Sequence, residues 1–212
     1  MSAIGIFGGT FDPIHHGHLR SALELGELLG LSRVHMIPCH IPPHREQPGA
    51  SAADRLAMLR LAVEGSELLI ADDRELQRPE ASYTVDTLRD FARTHPQQRR
   101  VLFIGVDAFA AFTRWHEWQT ILEMADLAIM DRPGAVLSAP SQALLDEREV
   151  DVLPDDGSTG RIIRRRLTQL DISSTVIRAT LAAGGNVRYL LPPAVRDYLQ
   201  TRQLYRSASE IH

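Results

Sequence analysis

The sequence predicts an α/β fold, an open parallel sheet with helices on both faces, and three observations predict it. Short apolar runs alternate along the chain with longer segments of helical spacing. A glycine pair, Gly8-Gly9, stands where the first apolar run gives way to the first helical segment. The last third carries helical segments split by Gly184-Gly185-Asn186, which predicts a small C-terminal helical part over the strand ends.

Taken in order, the apolar runs Ile4–Phe7, Val34–Ile37, Leu68–Ala71, Val101–Ile104, Leu127–Met130 and Val150–Leu153 predict buried strands. Helical spacing places helices at Leu19–Leu29, Ala52–Val63, Thr84–Thr94, Trp118–Met124 and Ser141–Leu145, then at Ser174–Ala183 and Pro193–Gln200. Crossovers between parallel strands are expected to be right-handed. Residues 1–206 read as one unit, with no repeat and no linker, and residues 207–212 as a polar tail. Two long loops, Cys39–Ser51 and Asp72–Tyr83, follow strands, where open α/β sheets hold ligands.

Composition narrows the chemistry. The chain has 212 residues and a formal net charge of -4, so it has no global attraction for nucleic acid. No apolar run reaches the roughly 20 residues that span a bilayer, and the start carries no basic, apolar leader. Cys39 is the single cysteine, which excludes an internal disulfide. A cytoplasmic location is the expectation. All 23 basic residues apart from histidine are arginine. A phosphate-loop lysine and a lysine covalent intermediate are therefore excluded, and phosphate contacts fall to Arg, His and backbone N–H groups. The run Arg161 to Arg166 reads as a solvated helix face rather than an RNA site.

The segment Gly8-Gly9-Thr10-Phe11-Asp12-Pro13-Ile14-His15-His16-Gly17-His18 carries the most information. It joins a strand to a helix. Its glycines admit a phosphate to the backbone. His15 and His18 are spaced to share a face of the first helical turn, beside N–H groups that bind anions. A zinc site is the competing reading, but no HExxH or matching carboxylate accompanies these histidines. Simple capping of the helix is another. Further along, Ile172-Ser173-Ser174-Thr175 offers N-cap residue types, with Arg178 expected in the first turn of the same helix. Pro42-Pro43 stiffens a loop and aims His44 and Arg45. Gly105 ends a strand, and Arg132 follows another, as a candidate phosphate contact. Cys39 reads as an incidental thiol.

These segments resemble a known family. Gly8 to His18, with its His15-x-Gly17-His18 core, and Ile172 to Arg178 look like the two signatures of the HxGH nucleotidyltransferase superfamily. With Pro42-Pro43-His44 and Ser82-Tyr83-Thr84-Val85-Asp86-Thr87 between them, the chain is similar to bacterial nicotinate-nucleotide adenylyltransferases from about Ile4 to about Tyr198. The resemblance implies a Rossmann-like sheet and transfer of AMP from ATP to nicotinate mononucleotide, without a covalent enzyme intermediate. It assigns His15, His18 and Arg178 to catalysis. It assigns ATP contact to Gly8, Gly9, Thr10, Phe11, His15, His18, Gly105, Asp107, Ile172, Ser173, Ser174, Thr175 and Arg178. It gives the mononucleotide to His44, Arg45, Tyr83, Thr84, Asp107, Trp115 and Arg132, with Trp115 stacking on the pyridine ring. Local sequence alone equally allows Thr84 as an N-cap and Trp115 as core. Arg45 stands where relatives commonly carry Lys.

The implied chemistry suits the residues. A phosphomonoester with a second pKa near ~6 is already a nucleophile at neutral pH, so no general base is required. The protein must align the groups and neutralise charge as pyrophosphate leaves. No protein metal ligands are expected, and Mg²⁺ is expected to arrive on ATP. The implied partners are ATP and nicotinate mononucleotide, with no nucleic acid and no membrane, and a homo-oligomer is open. Two alternatives stand beside this one: a pantetheine-phosphate adenylyltransferase, and a nucleotide-sensing protein without turnover.

Overall fold

The computed structural model describes residues 2–40, 48–78 and 82–206. The elements, in chain order, are β1 (Ala3–Gly9), α1 (His16–Leu28), β2 (Arg33–Pro38), α2 (Ala52–Val63), β3 (Leu69–Ala71), α3 (Thr84–Thr94), β4 (Arg99–Gly105), α4 (Val106–Phe109), α5 (Trp118–Met124), β5 (Asp126–Asp131), α6 (Ala139–Arg148), β6 (Ile162–Arg166), α7 (Ser174–Ala182) and α8 (Pro193–Thr201). The described strands form one six-stranded sheet in the order β3-β2-β1-β4-β5-β6. Every neighbouring pair is parallel. The order reverses between β1 and β4, and such a switch point opens a crevice at the carboxyl ends of the strands.

Period-2 alternation sorts the strand side chains onto two faces. Phe7, Met36, Val101, Phe103, Ala128 and Ile163 point to one face, where α1, α2, α7 and α8 cover them with Ala22, Leu25, Met58, Leu59, Ile177, Val195 and Leu199. Ile4, Ile6, Ile37, Leu102, Ile104, Leu127, Ile129 and Ile162 point to the other. There α3, α4, α5 and α6 cover them with Val85, Leu88, Phe91, Phe109, Ile121, Leu144 and Leu145. The strands are apolar on both faces, which is why their runs read as continuous in the sequence. Each such large side chain removed from water stabilises by about 1.5–3 kcal/mol.

Five of the expected strands are present. The sixth is not at Val150–Leu153. Val150 makes one rung, its N–H donating to Ile162 O, and Val152 is exposed. The edge strand is instead β6, within the arginine run expected to be a helix face. Ile162 and Ile163 anchor it by burial on both faces, while Arg164 to Arg166 run out along the sheet edge. Charged side chains suit an edge strand because they block further pairing. Arg164 pairs with Asp131 at 2.9 Å. The short α4 was also not expected, and α6 extends beyond Ser141–Leu145 at both ends. No described helix is long and apolar enough to cross a membrane. The proposed tail, residues 207–212, lies outside the described residues.

Candidate active site

Residues that follow the carboxyl end of β1 build the site. Gly8 and Gly9 close the strand. At Gly9 a side chain would meet the Phe11 ring at 2.8 Å, so only glycine fits. Phe11 itself holds a left-handed backbone, φ 48°, which is strained for a residue with a Cβ. That conformation buries its ring edge-on to His18, 5.2 Å between centroids, and to Phe7, 5.7 Å.

His15 is the N-cap of α1, and His18 lies in its first turn. Their rings stack 3.7 Å apart at 24°. His15 makes no side-chain cap bond, so the capping reading of this residue fails. Its side chain is nearly enclosed, at 4% exposure. Burial first, and then the neighbouring His16, lower its pKa from 6.5 to about 4. Burial first, and then His15, hold His18 well below the usual imidazole range. Both rings are neutral at pH 7, and the buried Nδ1 of each has no protein hydrogen-bond partner among the described residues. Gly17 leaves little room for a side chain. A Cβ there would press within 3.0 Å of the His15 ring and 3.5 Å of Ile172 O.

The last contact brings in the second segment. Ser173 caps α7, accepting from Val176 N at 3.2 Å, so the capping reading holds for this residue. Ser174 donates its hydroxyl to Pro13 O at 3.0 Å. Arg178, expected in the first turn of α7, lies just beyond it because the helix begins at Ser174. Its Nη1 donates to Asp12 O at 2.7 Å and stands 3.6 Å from Asp12 Oδ2. The starts of α1 and α7, 158 residues apart at His16 and Ser174, are thus fastened to one turn.

A cleft of about 180 Å³ lies beside the start of α1 at the switch point; His15, Arg178 and the other expected residues of the α7 start do not line it. His18, Gly17, Gly105, Asp107 and Arg132 line it, with Ser21, Met130, Asp131, Leu167 and Gln169, which sequence reasoning did not identify. Gly105 is the N-cap of α4 and leaves open space where a Cβ would stand. Asp107 and Arg132 meet in a bidentate pair at the rim, 2.8 and 2.7 Å. Arg132 is thus already paired with a carboxylate in this structure.

One residue of the first segment, Asp12, and two from outside it, Arg55 and Tyr205, hold the segment in place, and these ties were not legible. Asp12, 4% exposed, accepts from Gly49 N at 2.8 Å and Ala50 N at 3.0 Å. Arg55, 1% exposed, donates to Thr10 O at 2.8 Å. Tyr205 donates to Asp12 Oδ1 at 2.5 Å. Polar residues on helix α2 and in the C-terminal segment give no pattern that ties them to residues so distant in the chain.

The other expected group sits apart from this cleft. Tyr83 is the N-cap of α3 and makes no side-chain cap bond; Thr84 is the first helical residue, not the cap. The Tyr83 ring lies 4.6 Å from that of His116, and Trp115 packs 5.5 Å from Phe112. Tyr83 and Trp115 are half-buried at the edge of the same apolar cluster. Neither they nor Thr84 lines the cleft. His44 and Arg45 lie outside the described residues. Among the described residues no three His, Cys, Asp or Glu side chains are grouped to hold a metal.

A parallel sheet with a glycine turn and a histidine-bearing helix start at its switch point suits a nucleotide-handling protein, and comparison makes the class specific. The family model described as Cytidylyltransferase-like matches residues 6–180, so the chain is a nucleotidyltransferase-type protein. It is 47% identical to a Marinobacter nauticus protein named "Probable nicotinate-nucleotide adenylyltransferase", over 94% of this chain and 95% of the relative. A Pseudomonas aeruginosa protein of the same name is 43% identical over 96% and 97%. The chain belongs to the nicotinate-nucleotide adenylyltransferase family. Its fold is that of Plasmodium falciparum nicotinic acid mononucleotide adenylyltransferase, solved in complex with NaAD (TM-score 0.76, 18% identity, 97% and 98% of the two chains covered).

Proposed function

We propose that the protein transfers AMP from ATP to nicotinate mononucleotide, giving nicotinate adenine dinucleotide and pyrophosphate, a step of NAD biosynthesis. The family supports the activity. The observation that carries the assignment of residues is the fastening of the α7 start, through Ser174 and Arg178, to the turn that leads into α1, whose Gly17 and His18 line the cleft. A polyphosphate laid there meets N–H groups, two imidazoles and one guanidinium together.

In this reading the mononucleotide phosphate oxygen attacks the α-phosphorus of ATP in line. The bond from that phosphorus to the bridging oxygen breaks, and its electron pair leaves with pyrophosphate. His15 and His18 donate to the phosphates, taking up protons as the polyanion raises their pKa. Arg178 neutralises the outer phosphates. Gly8, Gly9, Thr10, Phe11, Gly105, Ile172, Ser173, Ser174 and Thr175 shape the ATP side. Asp107 contacts ribose or base. Tyr83, Thr84, Trp115, Arg132, His44 and Arg45 form the mononucleotide side, where the N–H groups at the start of α3, free of a side-chain cap, take the nicotinate carboxylate. Mg²⁺ enters bound to ATP. The cytoplasm is the proposed compartment.

A pyrophosphate-release assay with ATP and a panel of acceptors tests the reading. Nicotinate mononucleotide should outrun nicotinamide mononucleotide by at least about 10²-fold in kcat/KM, because an amide NH₂ facing N–H donors leaves polar groups unpaired. Equal rates reject the pocket, and turnover of phosphopantetheine alone rejects the substrate.

A further inference from the structure

The C-terminal segment reaches the site through one side chain. Helix α8 docks on α2, with Tyr198 donating to Asp54 at 2.9 Å and Arg202 paired to the same carboxylate at 3.2 Å. Past α8 the chain turns back sharply. Gln203 and Tyr205 both adopt left-handed backbone, φ 52° and 63°. Neither is glycine, so the turn costs conformational energy that its contacts must offset. What the turn achieves is the placing of Tyr205. Its ring lies against Gly49, where a Cβ would stand 3.1 Å from it, and its hydroxyl donates to Asp12. Burial first, and then the bond to Asp12, raise the tyrosine pKa, so the hydroxyl remains a donor at every working pH.

Asp12 is the residue whose carbonyl receives Arg178. Its carboxylate is closed in by four neighbours: Gly49 N, Ala50 N, the Tyr205 hydroxyl and, at 3.6 Å, Arg178 Nη1. Tyr205 is not in the cleft, and 193 residues separate it from Asp12.

We propose that Tyr205 is a positioning residue that sets the Arg178 guanidinium for the triphosphate by way of Asp12. The C-terminal turn is thereby a latch on the ATP half of the site. This inference rests on the adenylyl-transfer reading.

A double-mutant cycle tests it, with kinetics for both substrates. Tyr205→Phe keeps the ring on Gly49 and removes only the hydroxyl. It should raise KM for ATP by about tenfold and leave KM for nicotinate mononucleotide within about twofold. In an Arg178→Gln background the same change should cost less than about twofold, because the group it acts through is gone. KM values do not depend on how much enzyme is folded, so the split between substrates is readable even if Tyr205→Phe melts early. Wild-type kinetics in Tyr205→Phe would overturn the proposal. So would an equal loss for both substrates, or an undiminished loss in the Arg178→Gln background. An inactive wild type removes the adenylyl-transfer reading and this proposal with it, whereas an active wild type indifferent to Tyr205 removes the latch alone.

Discussion

Two helices begin at the same turn, and they begin differently. The start of α7 follows the rules of helix stability: Ser173 caps it, and Ser174 ties it to Pro13. The start of α1 breaks them. Its N-cap is a histidine that makes no side-chain cap bond. Two imidazoles are instead pressed together in a buried pair. A missing cap costs about 1 kcal/mol, and burying ionisable rings costs more. The difference teaches where stability is given up: in the proposed reading the α1 start is held ready for a polyanion, while α7 supplies the frame that aims Arg178.

The largest expected effect concerns acid. Unfolded His15 binds a proton below pH 6.5, whereas the folded one binds it only near 4. Stability contributed by the neutral ring is therefore intact above 6.5 and lost as pH falls toward 4. At about 1.36 kcal/mol per pH unit, the loss is on the order of 3 kcal/mol. Urea unfolding of wild type and His15→Ala between pH 7 and 4 should show a shallower slope in the variant. Parallel slopes would mean that the α1 start carries no such cost.

Arg178→Gln should come next. It removes the bond to Asp12 O and a contact to ATP, so kcat/KM for ATP should fall about tenfold or more and thermal stability by about 1 kcal/mol. ATP should also raise the melting temperature less than in wild type. Normal kinetics with an undiminished shift would take Arg178 out of the site. The smallest effect sharpens the contrast. Ser173→Ala should lose about 1 kcal/mol of stability with kcat within a few-fold of wild type. A large kinetic loss with unchanged stability would make the α7 start as specialised as the α1 start.

Legibility divides along physical lines. Strands buried on both faces announce themselves as apolar runs, so β1 to β5 are readable. The edge strand β6 carries only Ile162 and Ile163 before its arginines, and Val150-Asp151-Val152-Leu153 imitates a strand better. The two helix starts are readable because their groups lie close in sequence, glycines and histidines before α1 and cap-type hydroxyls before α7. Asp12, Arg55 and Tyr205 are not readable as a group, since they converge only through packing of α2 and α8. Asp107 and Arg132 were foreseen singly, but not their mutual ion pair.

The central claim is that the α1 histidines serve the transition state rather than the fold or ground-state binding. The direct measurement is kcat for His18→Ala beside its dissociation constant for a non-hydrolysable ATP analogue. Turnover should drop by about 10²-fold or more while analogue affinity changes by less than about tenfold. Equal losses in turnover and affinity, or no loss in either, would contradict the account.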